Sequence, residues 1–324
     1  MNLLEKKIID KIKTEGPISF ETFMHMALYE PGLGYYASEH IEIGKAGDFY
    51  TSQHVHPVFG AMIARQIEEM WELLGRPSDF SAIEPGAGAG LMCLDILHYL
   101  QNRDFFPSFT YLIVETNPSV ILKQRSVLNK YAGKVRWISS LEQAGRRKGC
   151  ILSNELLDAF PVHLIEMEEE LREIYLDLNR QGGQSTPPFQ EVNRNPHTDS
   201  LIDYLQALLC YFQHQVHENP YINIGHQDIT AHVNFSSVKK WGECVGFQTI
   251  GFCRQGTYLI SLGIDREIQN LLKNSADYLF EVARIKRLIF PGTLGETHKV
   301  MVQYKGRGYP QMQGFSMRNQ AGTL

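Results

Sequence analysis

The stretch Ser81 to Met92 reads SAIEPGAGAGLM: an acid, Glu84, closes an apolar run, and Gly86, Gly88 and Gly90 follow, separated by single alanines. Glycines at such spacing let a backbone turn tightly and come close to a ligand between a strand and a helix. A dinucleotide fingerprint would place its third glycine one residue later. The charge also argues against a dinucleotide, because Glu84 would stand where a pyrophosphate meets the helix N-terminus, and two anions repel. S-adenosylmethionine has no phosphate and carries a sulfonium and an ammonium, so an acid here attracts it. The same glycines would also serve plain tight packing of helix on strand.

Two further strand ends carry suitable groups. TYLIVE ends at Glu115, whose carboxylate can accept hydrogen bonds from both ribose hydroxyls. VRWIS ends at Ser139-Ser140-Leu141, where Ser140 and Leu141 could contact adenine. The fourth strand, GCILSNE, runs into SNELLDAFPV and would aim Asn154, Glu155 and Asp158 at a methyl donor. Methyl transfer from a sulfonium is a direct displacement, so holding the acceptor lone pair in line supplies much of the rate, and no metal is required. A guanidinium acceptor could be clamped bidentately by a carboxylate, with one nitrogen left to react. For Glu155 and Asp158 the plainer role is capping and dipole compensation at a helix start.

Ligands in a doubly wound sheet sit beyond the carboxyl ends of the strands, so these residues require strand and helix to alternate. They do: FSAIE, LMCLDILHYL, TYLIVE, NPSVILKQRSVLNKY, VRWIS and GCILSNE follow in order. Upstream, Leu4, Ile8, Ile9 and Ile12 predict a helix that ends at Gly16-Pro17, a second helix covers about 20–28, and Val58 to Leu74 carries apolar residues at spacings of three and four. After Pro161, VHLIEM and LREIYLDL predict a hairpin around Glu168-Glu169-Glu170, and residues 181–200 read as a polar surface loop. Nearer the C-terminus, TYLISLG and KVMVQYKG read as strands. The expected fold class is α/β: a Rossmann-like doubly wound sheet, with an N-terminal helical segment over 1–75, a cofactor-binding domain over 76–324, and substrate-side elements inserted at about 162–225.

Composition narrows the function. With 43% hydrophobic and 21% charged residues and no apolar run of bilayer length, the chain reads as a globular protein of the bacterial cytoplasm with no membrane span. Its net charge of -5 disfavours sequence-independent binding to nucleic acid. The 5 cysteines form no C-x-x-C pair and suggest neither a zinc site nor a disulfide framework. His54-x-His56 suits solvated or capping side chains better than a metal pair, and His232 a structural hydrogen bond.

Seven segments, ALYEPGLGYY (27–36), GDFYTS (47–52) with PVFG (57–60), IEPGAGAGLM (83–92), LIVETNP (112–118), NELLDAFPVH (154–163) and GHQDITAHVNF (225–235), resemble the MidA-type methyltransferases. That family is related to the mitochondrial complex I assembly factor that methylates an arginine of a complex I subunit. The resemblance implies a class I S-adenosylmethionine fold and a protein substrate presenting an arginine, in a respiratory-complex subunit or another assembly client. It also implies that Gly47, Asp48, Thr51 and Ser52 lie in the cofactor site. Gln53-His54 departs from the Pro-acid pair common there. Near 188–210 the chain is shorter than the family pattern, which compresses a fifth strand into Leu201 to Tyr204. Other readings are a small-molecule methyltransferase, a cofactor-binding assembly chaperone without turnover, and, opposed by Glu84, an NAD oxidoreductase.

Overall fold

A computed structural model describes residues 1–38, 51–167, 169–179, 188–196, 208–212 and 215–324. The helices named here are α1 (Leu3–Glu15), α2 (Phe20–Tyr29), α3 (Ser52–Val55), α4 (Val58–Leu73), α5 (Leu91–Leu100), α6 (Pro118–Val127), α7 (Phe235–Cys244), α8 (Gln255–Ser261), α9 (Ile264–Asn274), α10 (Tyr278–Ile289) and α11 (Leu294–Thr297). The strands are β1 (Ile18–Ser19), β2 (Phe80–Pro85), β3 (Phe109–Val114), β4 (Val135–Ile138), β5 (Gly149–Ile151), β6 (Ile165–Met167), β7 (Leu171–Leu178), β8 (Phe189–Arg194), β9 (Leu208–Phe212), β10 (Gln215–His217), β11 (Asp228–Ala231), β12 (Gln248–Arg254) and β13 (Lys299–Tyr304). The chain forms two compact units, Met1–Phe49 with Glu155–Ser237, and Tyr50–Asn154 with Val238–Leu324.

The second unit contains the parallel sheet, in the order β4-β3-β2-β5. β2 is buried along almost its whole length, as an inner strand covered on both faces must be. Its register runs Ile83↔Leu112 toward β3 and Ile83↔Ile151 toward β5, so β2 and β3 end together at Pro85↔Val114 while β5 ends two residues earlier, opposite Ile83. Helices α4 and α5 pack together at Gly60, where an added Cβ would stand 2.4 Å from the Asp95 Cβ. The aromatic core includes Trp71 stacked on Phe105 at 4.8 Å, with Phe80 and Phe109 at 5.4 and 4.9 Å from the same ring. β12 and β13 pair antiparallel, with a register shift between Thr249 and Gly251. A side chain at Gly251 would strike the Phe315 ring.

The first unit joins segments far apart in the chain. Its helix α1 buries the expected Leu4, Ile8, Ile9 and Ile12, opens on an Asn2–Glu5 capping box and stops at Gly16, whose φ is 84°. β1 pairs with β7 through Ile18↔Leu176, so the N-terminal segment and the elements after β5 share one core. The sequence divides by chain order, whereas the contacts divide the molecule by these pairings.

Two sequence expectations are corrected. TYLISLG is not a strand: α8 occupies most of it, because Tyr258, Leu259 and Leu262 are buried at helical spacing and Gly256 lets the helix lie against the backbone of Ile289. An apolar run rich in aromatic and branched residues fits either structure, and packing decides. Residues 181–200 are not all loop, since β8 pairs with β7 and buries Phe189. Leu201 to Tyr204, the expected fifth strand, lies outside the described residues.

Candidate functional site

In the parallel-sheet unit the loop between β2 and α5 is built by its glycines. Gly86, Gly88 and Gly90 have φ of 71°, 52° and 79°, a region costly for any residue with a Cβ. Gly90 is also the N-cap of α5, and a Cβ there would press on Leu128 Cδ1 at 3.3 Å. The helix N-terminus thus begins on a backbone that only small residues permit.

Glu84 stands at the foot of this loop, 2% exposed, and its Oε2 accepts a hydrogen bond from the Tyr111 hydroxyl at 2.7 Å. Burial pushes its carboxyl up to about 7, although the Tyr111 bond opposes the shift. An adjacent cation would favour the ionised form. A second brace comes from Gln124, which is fully buried on α6: its Nε2 donates to the Gly88 carbonyl at 2.8 Å, and its Oε1 accepts from Trp137 Nε1 at 2.8 Å. This ties the loop to β4. Neither Tyr111 nor Gln124 was identifiable from the sequence. A glutamine in a helix reads as solvent-facing, and only the tertiary contact gives it a role.

Glu115 directly follows β3. Its Oε1 accepts from the backbone N–H of Thr116 and Asn117, while Oε2 has no protein partner among the described residues. Ser140 is half-buried ahead of the short turn Leu141–Ala144, and Leu141 is exposed. Thr51 and Ser52 are buried in this same unit. Thr51 Oγ1 lies 2.6 Å from His54 Nδ1, and Ser52 donates to Gln255 Oε1 at 2.9 Å. Asn154 donates from Nδ2 to Gln53 Oε1 at 2.9 Å, joining the segment after β5 to α3. His56 accepts from the Val58 N–H at 3.0 Å, and its Nε2 meets Glu281 at 3.1 Å. Gly47 and Asp48 lie outside the described residues.

The chain enters the other unit at Glu155, a non-glycine residue held at φ 49°. Such strain of about 1 to 3 kcal/mol recurs at functional positions. Asp158 lies in the short turn Leu157–Ala159. Around it, Tyr29 donates to the Ala159 carbonyl at 2.9 Å, Tyr36 donates to Asp228 Oδ1 at 2.7 Å, and Thr230 donates to Asp228 Oδ2 at 2.8 Å. The Tyr29 and Tyr36 rings stack at 5.6 Å. Burial, then the negative charge of Asp228 and Asp158, raises the Tyr29 hydroxyl well above its usual range, and Tyr36 shifts the same way from burial and Asp228. Segments 27–36, 155–163 and 225–235 therefore meet in one unit, around tyrosines and an aspartate that the sequence did not single out.

A family model described as "Putative S-adenosyl-L-methionine-dependent methyltransferase" matches residues 62–208 and 204–253, more than half of the chain. The chain belongs to this family. Its fold is the α/β, Rossmann-like fold of S-adenosylmethionine-dependent methyltransferases, and S-adenosylmethionine is its cofactor. Similar curated proteins include the "Protein arginine methyltransferase NDUFAF7 homolog, mitochondrial" of Drosophila melanogaster, 22% identical over 94% of this chain and 85% of that protein. The human "Protein arginine methyltransferase NDUFAF7, mitochondrial" is 22% identical over 83% of this chain and 75% of its own. A Burkholderia thailandensis protein solved with S-adenosyl-homocysteine superposes with a TM-score of 0.86 at 23% identity, covering 99% of this chain and 96% of that one. The glycine loop of this methyltransferase fits its cofactor: the backbone at all three positions demands residues without side chains, and a buried carboxyl beneath offers charge to a cation.

Proposed function

We propose that this methyltransferase transfers a methyl group to an arginine of a protein substrate, in the bacterial cytoplasm, with an assembly client such as a respiratory-complex subunit as acceptor. S-adenosylmethionine supplies an electrophilic methyl, and the protein's own residues have three tasks. Glu84, with Gly86, Gly88 and Gly90, would receive the cationic end of the cofactor; Glu115 Oε2 would be available to its ribose hydroxyls; Thr51, Ser52, Ser140 and Leu141 would complete its walls. Asn154, held by Gln53, fixes the chain as it leaves β5. Glu155 and Asp158 hold the acceptor guanidinium.

The guanidinium needs such a hold. It stays protonated up to a pKa above about 12 and spreads its charge over three nitrogens, so it is a weak nucleophile until carboxylates orient it and localise its charge on the nitrogens that do not react. As the new N–C bond forms and the S–C bond breaks, the attacked nitrogen becomes more acidic, and a neighbouring carboxylate can take its proton. The observation that carries this reading is the strained backbone of Glu155, directly after a braced Asn154. That the similar Drosophila and human proteins are named protein arginine methyltransferases supports arginine as the acceptor.

The test is transfer of labelled methyl from S-adenosylmethionine into a lysate of a strain lacking this protein. A labelled band whose acid hydrolysate contains methylarginine is the expected result. Label in small molecules alone, or no label despite cofactor binding, would overturn the proposal in favour of a small-molecule acceptor or a chaperone without turnover.

A further inference from the structure

Away from the glycine loop, the parallel-sheet unit contains a cavity of about 340 Å³ bounded by the start of α4, one side of α5 and α9. Its apolar lining includes Val58, Ala61 and Leu271, and its polar lining includes Asp95, Tyr99 and Glu267. None of the residues assigned to the cofactor or the acceptor lines it.

Asp95 is the unusual member. It is half-buried, it makes no hydrogen bond or ion pair among the described residues, and its place is fixed by the close approach of α4 at Gly60. Burial alone pushes its carboxyl up to about 7. A carboxyl taken from water without a compensating partner is costly, and a cation seated beside it would remove that cost. The nearby cations of the protein are bonded to groups other than Asp95. Arg103 donates to the Tyr99 hydroxyl at 2.7 Å and lies over its ring at 4.7 Å, and Arg65 donates to the Gly263 carbonyl at 3.3 Å. No lysine or arginine is among the lining residues described, whereas Glu267 adds a second carboxyl. Of the two histidines in the lining, His56 is bonded through both ring nitrogens, and His98 Nδ1 lies 3.3 Å from Gln101 Nε2 and 3.4 Å from the Tyr131 hydroxyl.

We propose that this cavity is a binding site for an organic cation, a guanidinium or primary ammonium on a short apolar stem. The head sits between Asp95 and Glu267, and the stem lies along Val58, Ala61 and Leu271. Such a head arrives either on a free small molecule or on the side chain of a protein. The volume is at the lower end of that usual for small-ligand pockets, about 300 to 1,000 Å³, and it accommodates a group of arginine side-chain size.

The experiment titrates the whole protein at pH 8 with butylguanidinium, with its neutral isostere butylurea, and with the blocked peptide acetyl-Gly-Arg-Gly-amide, by calorimetry. The variants are Asp95→Asn, which keeps the shape and removes the charge, and Leu271→Trp, which fills the cavity and keeps the charge. Binding of S-adenosylhomocysteine by each variant verifies its fold. The expected result is one-site binding of butylguanidinium, no binding of butylurea, and a loss of roughly tenfold or more in affinity in both variants. Binding of the peptide as well would assign the site to a basic side chain of a partner protein, and its failure would assign it to a free cation. Affinity unchanged by Asp95→Asn or by Leu271→Trp, equal binding of butylurea, or no binding of either cation would overturn the proposal.

Discussion

The glycine loop of the parallel-sheet unit and the tyrosine–aspartate cluster of the other unit solve different problems. The loop is contiguous: strand, acid, three glycines and helix follow within a dozen or so residues, and each glycine is required by its own backbone. The cluster is assembled from Tyr29, Tyr36, Ala159, Asp228 and Thr230, which stand as much as 200 positions apart in the chain. A cofactor of fixed shape is met by local backbone geometry. The turn that carries Asp158, proposed to meet a variable acceptor, is tied down by long-range contacts such as the Tyr29 bond to the Ala159 carbonyl, which one sequence does not display.

That contrast predicts effects of different size and kind. The largest belongs to the loop. Gly90→Val imposes a branched side chain at φ 79° against Leu128, and it is expected to weaken S-adenosylhomocysteine binding by about a hundredfold, or roughly 2.7 kcal/mol, as measured by calorimetry. Retained affinity would mean that the loop tolerates side chains and that its glycines serve packing alone.

Glu84 sharpens the loop's electrostatic role. Its folded pKa of about 7 exceeds the ordinary 4.5, so the unfolded chain releases this proton first as pH rises. Its contribution is neutral below about pH 4.5, becomes destabilising up to about pH 7 and stays so above, by an amount on the order of 3 kcal/mol. Melting temperature followed from pH 5 to pH 8 is expected to fall less in Glu84→Gln than in the parent. Parallel profiles would contradict a buried acid whose desolvation outweighs its Tyr111 bond.

Smaller effects follow for the braces. Gln124→Ala leaves the Gly88 carbonyl and the Trp137 N–H without their partner, for about 1 to 2 kcal/mol in stability and up to tenfold in cofactor affinity, read from a melting curve and a titration. Tyr36→Phe removes one bond to Asp228 and is expected to cost about 1 kcal/mol, with cofactor affinity unchanged and the KM for the methylated protein raised. A change in cofactor affinity instead would break the separation of roles between the two regions.

The legible and illegible parts of the molecule follow from the same physics. The four parallel strands, α1 and the glycine loop were readable because periodicity, capping and glycine spacing are local signals. β8 was missed because Phe189 finds its burial against partners distant in sequence, and the α8 segment read as a strand because its apolar residues suit either period until Gly256 settles against Ile289. Asn154, Glu155 and Asp158 were visible as a motif, but the Gln53 brace and the left-handed backbone at Glu155 appear only in three dimensions. Gln124 and Tyr111 carried no sequence signal at all, since each takes its role from a partner on another element.

Whether one region holds the cofactor while Glu155 serves the acceptor is decided by Glu155→Gln measured two ways. The expected result is an affinity for S-adenosylhomocysteine within a few-fold of the parent, together with methyl transfer to protein reduced by about a hundredfold or more, the loss of a group acting chiefly on the reacting atoms. Transfer that survives at parental rates, or cofactor binding lost along with it, would contradict that division of labour.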